Sequence, residues 1–339
     1  MLTAAGAVPE DARTVAEGLL WADLCARRAQ GLLWLPMLVR RLARNLIRSP
    51  APMTWTAVAP AAHRLDAAHG FGQVAGRLGM MRAVELARTQ GVGLVAVRHS
   101  QHYGAAGYYC ALAVDAGCLG FTCANAFPRV APFGGTQGVL GTNPLAFGCP
   151  TPSGVPVVVD LATSTLPGSE MRILRGTGGT LPAGAALDRA GHPTDDPEAA
   201  AQGCLLPAAG AKGFGLALMV EILAGVLTGA GVQREAGSIW SDHLIDRGHV
   251  FIAIDLERFL PREAFLERMG ELLTSIKNVR PVEGGEAIRY PGEIRGRYAA
   301  AYARDGIPCD EAMERVIEEL GAELGVGPPW ELPAGSPVR

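Results

Sequence analysis

Charge is scarce in this chain. Only 19% of its 339 residues are Asp, Glu, Lys or Arg, against 49% hydrophobic residues, and the mean hydropathy is +0.19. The formal net charge is −3 and no dense Lys/Arg run occurs, so nucleic acid is not expected as a partner. A surface so poor in charge is expected to be partly covered, most simply by a second copy in a homodimer. The seven cysteines (25, 110, 118, 123, 149, 204 and 309) form no CxxC pair and are odd in number. They read as reduced, mostly buried thiols of a cytoplasmic protein, not as a disulfide framework. The opening MLTAAGAVPEDARTVAEGLL lacks the basic-then-apolar order of a secretion signal. The most apolar run, GFGLALMVEILAGVLTGA at 213–230, carries Glu221 and four glycines, which fits a buried helix and no membrane partner. Three glycine signatures are missing as well. No GxGxxG follows a strand with an acidic residue downstream, and neither GxxxxGK[ST] nor GxSxG occurs. These absences exclude the ordinary dinucleotide fingerprint, the phosphate loop and the hydrolase elbow.

What is present falls into three stretches. Residues 10–48 read as helices, with Val15, Leu19, Leu20 and Leu24 at helical spacing. Arg40, Arg41 and Arg44 mark a polar face, read as solvated. SPAPMTW (49–55) is a Pro-punctuated link, 73–91 a helix stopped by Gly91, and VGLVAV (92–97) a buried strand. Short strands broken by turns follow from 118 to 161, and the 177–197 tract is turn-rich and expected to be exposed. A long helix is predicted over about 213–229, a strand over 249–259, an amphipathic helix after it, and a last helix over 309–324. The expected division is a helical segment 1–60, a strand-rich cofactor- and substrate-binding centre 61–260, and a C-terminal helical segment 261–339 packing with the first.

RHSQHYGAAGYY (98–109) places His99 and His102 between a strand and a helix start. An i,i+3 pair on a helix could share a metal, but no carboxylate lies at ligand spacing and no third histidine is evident, so no metal is expected. A histidine at the end of a strand, before backbone N–H groups that favour anions, suits a cofactor or a substrate. A structural histidine is the competing reading. Lys212, between glycines ahead of a long helix, could bind phosphate or neutralise a carboxylate.

RHSQHYGAAGYY, LGTNPLAF, VVVDLATS, LLPAAGAKGFGLALMVEILAGVLTGA, GHVFIAID and YPGE, in that order, resemble the malate/L-lactate dehydrogenase family. The likeness is to its sulfolactate and ureidoglycolate dehydrogenase type, which includes reductases of cyclic imines, and runs over about residues 10–325. It implies an α/β (α+β), non-Rossmann fold. A mixed, mostly antiparallel sheet would bind NAD or NADP, with a helical domain built from both termini and assembly as a homodimer. It further implies that His102 is a proton acceptor or cofactor contact, with His99 structural. Tyr103, Gly104, Ala105 and Ala106 would line the dinucleotide, as would Asp160, Leu161, Ala162, Ala211 and Lys212. Thr142 would touch the substrate.

The family's N-terminal motif departs. Gly31 and Pro36 align it, so Ala29, Gln30 and Trp34 stand where a serine, a proton-donating histidine and a carboxylate-binding arginine are usual. Gln30 does not titrate near neutral pH, and Trp34 offers a stacking face with one N–H. Glu170 matches a charge-relay aspartate of some members, and segment 231–248 looks shorter than the family's loop. The expected function is an NAD(P)H-dependent reductase of an unusual C=O or C=N bond, with Gln30, Trp34 and Thr142 at the substrate and His102 and Glu170 in catalysis. A repurposed cyclase or isomerase, or a non-catalytic ligand binder, are the alternatives. Small 2-oxo acids are expected to be poor substrates.

Overall fold

Two short apolar runs, VGLVAV (92–97) and VFIAI (250–254), lie side by side at the centre of the main sheet. The computed structural model describes residues 1–328 and 330, so 329 and 331–339 of the expected C-terminal segment lie outside the described residues. Helices α1 (Pro9–Leu24) and α2 (Leu35–Ala43) precede strands β1 (Thr54–Ala59) and β2 (Ala62–Asp66). Then come α3 (Gly72–Gln90), β3 (Val92–Ser100), α4 (Ala106–Asp115), β4 (Cys118–Ala124), β5 (Leu145–Cys149) and β6 (Val157–Leu161). A smaller lobe holds α5 (Gly168–Thr177), β7 (Ala186–Leu187), β8 (Pro193–Thr194), α6 (Pro197–Gln202) and β9 (Cys204–Leu205). Last are α7 (Ala211–Val220), β10 (Arg247–Asp255), α8 (Arg262–Lys277), α9 (Glu293–Asp305) and α10 (Glu311–Leu324).

The seven-stranded sheet has the order β1-β2-β3-β10-β4-β5-β6. Val95 of β3 pairs with Phe251 of β10, and Phe251 with Thr122 of β4, both antiparallel. Only β2–β3 is parallel, with Leu65 opposite Val97. The sheet is therefore mixed and mostly antiparallel, as expected, and has no doubly wound parallel order. On one face, Met80, Ala83 and Val84 of α3 and Tyr109 of α4 share a core with Val95, Val97 and Phe251. On the other, Val220 and Ala224 pack on Cys123 and Val250.

The chain's two ends meet in one helical core. Val15, Leu19, Leu38 and Phe71 are buried together with Leu320 of α10. Beyond α7 the helix loosens into a π-helical stretch, Glu221–Val226, that turns the Glu221 carboxylate inward. There Oε2 accepts from Asn143 Nδ2 at 2.8 Å and Oε1 from Gln233 N at 3.0 Å, so the buried charge is satisfied. Among the described residues no helix is long and apolar enough to cross a membrane.

Three local expectations are corrected. The 49–55 link gives way to β1 at Thr54, an edge strand exposed along its whole length and so without the burial alternation that marks a strand in sequence. The predicted strand over 249–259 ends at Asp255. The 177–197 tract is turn-rich but not uniformly exposed, because Leu181, Ala185 and Ala186 fill the small lobe's core around Val130 and Leu205, and Leu187 packs with Ala131 and Cys204.

Candidate active site

Where β3 ends, the chain needs a sharp turn before α4, and Gly104 supplies it with φ +79°. α4 then begins with no side-chain cap of its own, and a carboxylate from β6 takes that place. Asp160 Oδ2 accepts the Gly107 N–H at 3.1 Å and also pairs with Arg27 Nη1 at 2.7 Å. One acidic group thus joins the α1 end, the α4 start and the β6 end into a single wall. Tyr103–Ala106 and Asp160–Ala162 form that side of a cavity of about 290 Å³.

More of the lining comes from the turns between α1 and α2. Asp23 is buried, and its Oδ2 accepts the Leu32 N–H at 2.8 Å. Gly31 is required there, since a Cβ would lie 2.0 Å from Asp23 Oδ1. This tight turn presents Gln30 and Trp34 to the cavity. Gln30 Nε2 donates to Ser169 Oγ at 3.3 Å, leaving its buried Oε1 without a partner. The one N–H of Trp34 is spent on Ala29 O at 2.6 Å, so this side chain offers the cavity only its ring.

His102 and His249 line the cavity as well. The His102 ring lies 4.4 Å from that of Trp34, and its Nε2 is buried without a partner. Burial, reinforced by the charges of Arg247 and Arg172, pushes His102 down to about 3. It is a neutral imidazole at physiological pH. His249 stacks on Tyr103 at 4.4 Å, has Nε2 2.9 Å from Ser100 Oγ, and is likewise pushed by burial to about 3. His99 is not part of this group. Its Nδ1 lies 2.9 Å from Asp66 Oδ2 and its N–H donates to Asp246 Oδ1 at 2.9 Å, tying β3 to β2 and to the approach of β10.

Segment 238–240 roofs the cavity. It is held by Arg41, which is buried and donates to the carbonyls of Ile239, Ser241 and His243. The solvated reading of that α2 face therefore fails for Arg41, while Arg40 and Arg44 pair with Asp242 at the surface. Trp240 stacks on Trp34 with centroids 6.0 Å apart. The Arg172 guanidinium of α5 lies 4.6 Å from the Trp34 ring and 5.0 Å from that of Trp240.

Most residues singled out in the sequence converge on this cavity: Gln30, Trp34, His102–Ala106, Thr142 and Asp160–Ala162. Three do not. Glu170 is exposed on α5 and outside the lining, which takes Gly168, Ser169, Met171, Arg172 and Arg175 from this helix. Ala211 and Lys212 are exposed at the start of α7, outside the cavity, although their turn abuts the same wall through Ala208 N donating to Thr163 O at 2.9 Å. The sequence reading missed Arg129, Arg172, Trp240, Arg247 and His249. The motif GHVFIAID contained the last of these and directly follows Arg247, and was a usable signal.

Comparison with known proteins settles the family. The sequence profile of the malate/L-lactate dehydrogenases matches residues 1–318. The chain belongs to the malate/L-lactate dehydrogenase family. It is accordingly an oxidoreductase. Among its relatives in the family, it is 36% identical to a malate dehydrogenase of Pyrococcus abyssi, over 96% of this chain and 92% of that protein. It is 37% identical to the Delta(1)-pyrroline-2-carboxylate/Delta(1)-piperideine-2-carboxylate reductase of Pseudomonas aeruginosa, over 78% of each. The solved sulfolactate dehydrogenase of Methanocaldococcus jannaschii superposes with a TM-score of 0.88 at 35% identity, covering 96% of this chain and 94% of that one.

Proposed function

We propose that the protein uses NAD or NADP to reduce a C=N or C=O bond of a small substrate at His102, with C=N preferred. The observation that carries this is the neutral His102 with its unpaired Nε2, set between the ring of Trp34 and the glycine–alanine wall. Unpaired buried polar atoms on His102 and Gln30 suit a polar ligand, and the small residues from Gly104 to Ala106 leave room for one. The cofactor, held by Tyr103–Ala106 and Asp160–Ala162, supplies a hydride when bound. Asp160 acts by fixing the wall, since its Oδ2 is engaged by Arg27 and Gly107.

Reducing a carbonyl to an alcohol needs a proton at oxygen. A histidine held near 3 is not an imidazolium at neutral pH, and Gln30 has no proton to give. A protonated C=N group takes up hydride and becomes an amine with no further proton. The Pseudomonas aeruginosa reductase named above acts on bonds of that kind. In this reading Gln30 and Thr142 position the substrate, Trp34 covers it, and Glu170 has no part.

The test is a fluorescence titration with NADH and NADPH, followed by assays with Delta(1)-piperideine-2-carboxylate against pyruvate and oxaloacetate. Saturable cofactor binding and faster turnover of the imine are expected. Failure of both cofactors to bind would leave a repurposed or non-catalytic protein.

We further propose a homodimer. Leu216, Met219, Ile222, Val226 and Leu227 form an exposed apolar stripe along α7 and its π-helical end, and a second copy is the simplest cover. Val226→Glu should yield monomers by light scattering if this face is the interface. Seven unpaired cysteines favour a reducing compartment, the cytoplasm.

A further inference from the structure

We infer that Arg129, Arg172 and Arg247 form an anion site at one end of the cavity, and that Arg172 there holds a carboxylate of the substrate. The inference deepens the reading above and rests on it for the identity of the ligand as substrate. Its basis is a charge inventory. Five arginines line the cavity: Arg27, Arg129, Arg172, Arg175 and Arg247. Two have carboxylate partners, Arg27 on Asp160 and Arg175 on Glu198, each at 2.7 Å.

The other three have none among the described residues. Arg247 is buried, donates Nη2 to Gly237 O, and keeps an Nε with no partner. Burial, then the charges of Arg129 and Arg41, lower it to about 10. Burial lowers Arg172 as well, and the nearby Arg129 adds to this. Like charges gathered in a partly dry cavity oppose folding unless something compensates them, and a bound anion does so.

The setting of Arg172 selects a planar oxyanion. A guanidinium stacked on aromatic rings keeps its N–H edge free, and that edge is what a carboxylate engages in a two-point contact. Trp34 and Trp240 supply the rings. Trp34 also touches His102, so a carboxylate on Arg172 lies at the same end of the cavity as the reacting bond. The cation that position 34 lacks is thus contributed from α5.

Pyrophosphate of the cofactor has the same chemistry, and the experiment separates the two sources. Malonate is titrated calorimetrically into free and NADH-saturated protein, and NADH affinity is measured in parallel. Wild type should bind malonate, and Arg172→Gln should weaken it about 10- to 100-fold, the loss of one charge-assisted pair, with NADH affinity unchanged. Arg172→Lys should recover part of the loss, and the exposed Arg268→Gln, which removes a charge outside the cavity, should change nothing. No malonate binding by wild type, or undiminished binding by Arg172→Gln, overturns the site. Weakened NADH binding in Arg172→Gln overturns the substrate assignment in favour of the pyrophosphate. If NADH fails to bind at all while malonate binding still depends on Arg172, the anion site stands and the reductase reading falls.

Discussion

Arg172 and Trp34 come from elements far apart in the chain, yet the guanidinium of one lies 4.6 Å from the indole ring of the other. Restoring an arginine at position 34 would therefore set two cations against each other. Trp34→Arg alone should lower turnover of any anionic substrate, and Trp34→Arg combined with Arg172→Gln should recover it. The check is kcat/KM for both variants on the best substrate found. Equal or higher activity in the single variant would show that the two positions do not share a task.

Acid should destabilise the fold through its buried histidines. His249 and His102 are held at about 3, against 6.5 in the unfolded chain, chiefly by burial. The unfolded state then binds more protons between those values, so stability rises with pH across the window and levels off above it. Each histidine contributes at most about 1.4 kcal/mol per pH unit. His249→Asn should give a shallower fall than wild type in urea melts between pH 7 and pH 5. Equal slopes would contradict the assignment.

Gly31→Ala should be costly, because a methyl there meets the buried Asp23 carboxylate that holds the Leu32 N–H. A loss of about 2–4 kcal/mol is expected from the clash and the broken bond. Urea denaturation measures it, and a change under 1 kcal/mol, roughly the floor for a buried clash, would refute the close contact.

Arg41→Ala should free the cavity roof. Three carbonyls of 239–243 lose their donor, so amide exchange in that segment should quicken while α3 stays protected. Global stability should fall by about 1–3 kcal/mol. Exchange rates matching wild type would show that the roof is held by other contacts.

How far the sequence could be read depended on where burial shows. β3 and β10 were legible because strands covered on both faces are continuous apolar runs. β1 was not, since an exposed edge strand leaves no alternation to find. Arg41 and Arg172 look like any solvated helix arginine, and only the neighbours brought by other elements bury the first and half-bury the second. Glu170 was placed by its likeness to a charge-relay aspartate, and one step along a helix turns a side chain by about 100°. Tyr103–Ala106 and Asp160–Ala162, by contrast, were named through the likeness of RHSQHYGAAGYY and VVVDLATS to the family's motifs, and all of them line the cavity.

The Asp160 contacts carry a consequence for how the protein acquires its activity. The carboxylate joins residues separated by 133 positions on one side and 53 on the other. Contacts of such long sequence span close late, after local helices and hairpins have formed. Competence to hold the cofactor is therefore expected to lag recovery of secondary structure during refolding, so that a chain still searching for its topology stays chemically silent. Stopped-flow circular dichroism set beside NADH fluorescence would time the two, and simultaneous recovery would show that the wall assembles early.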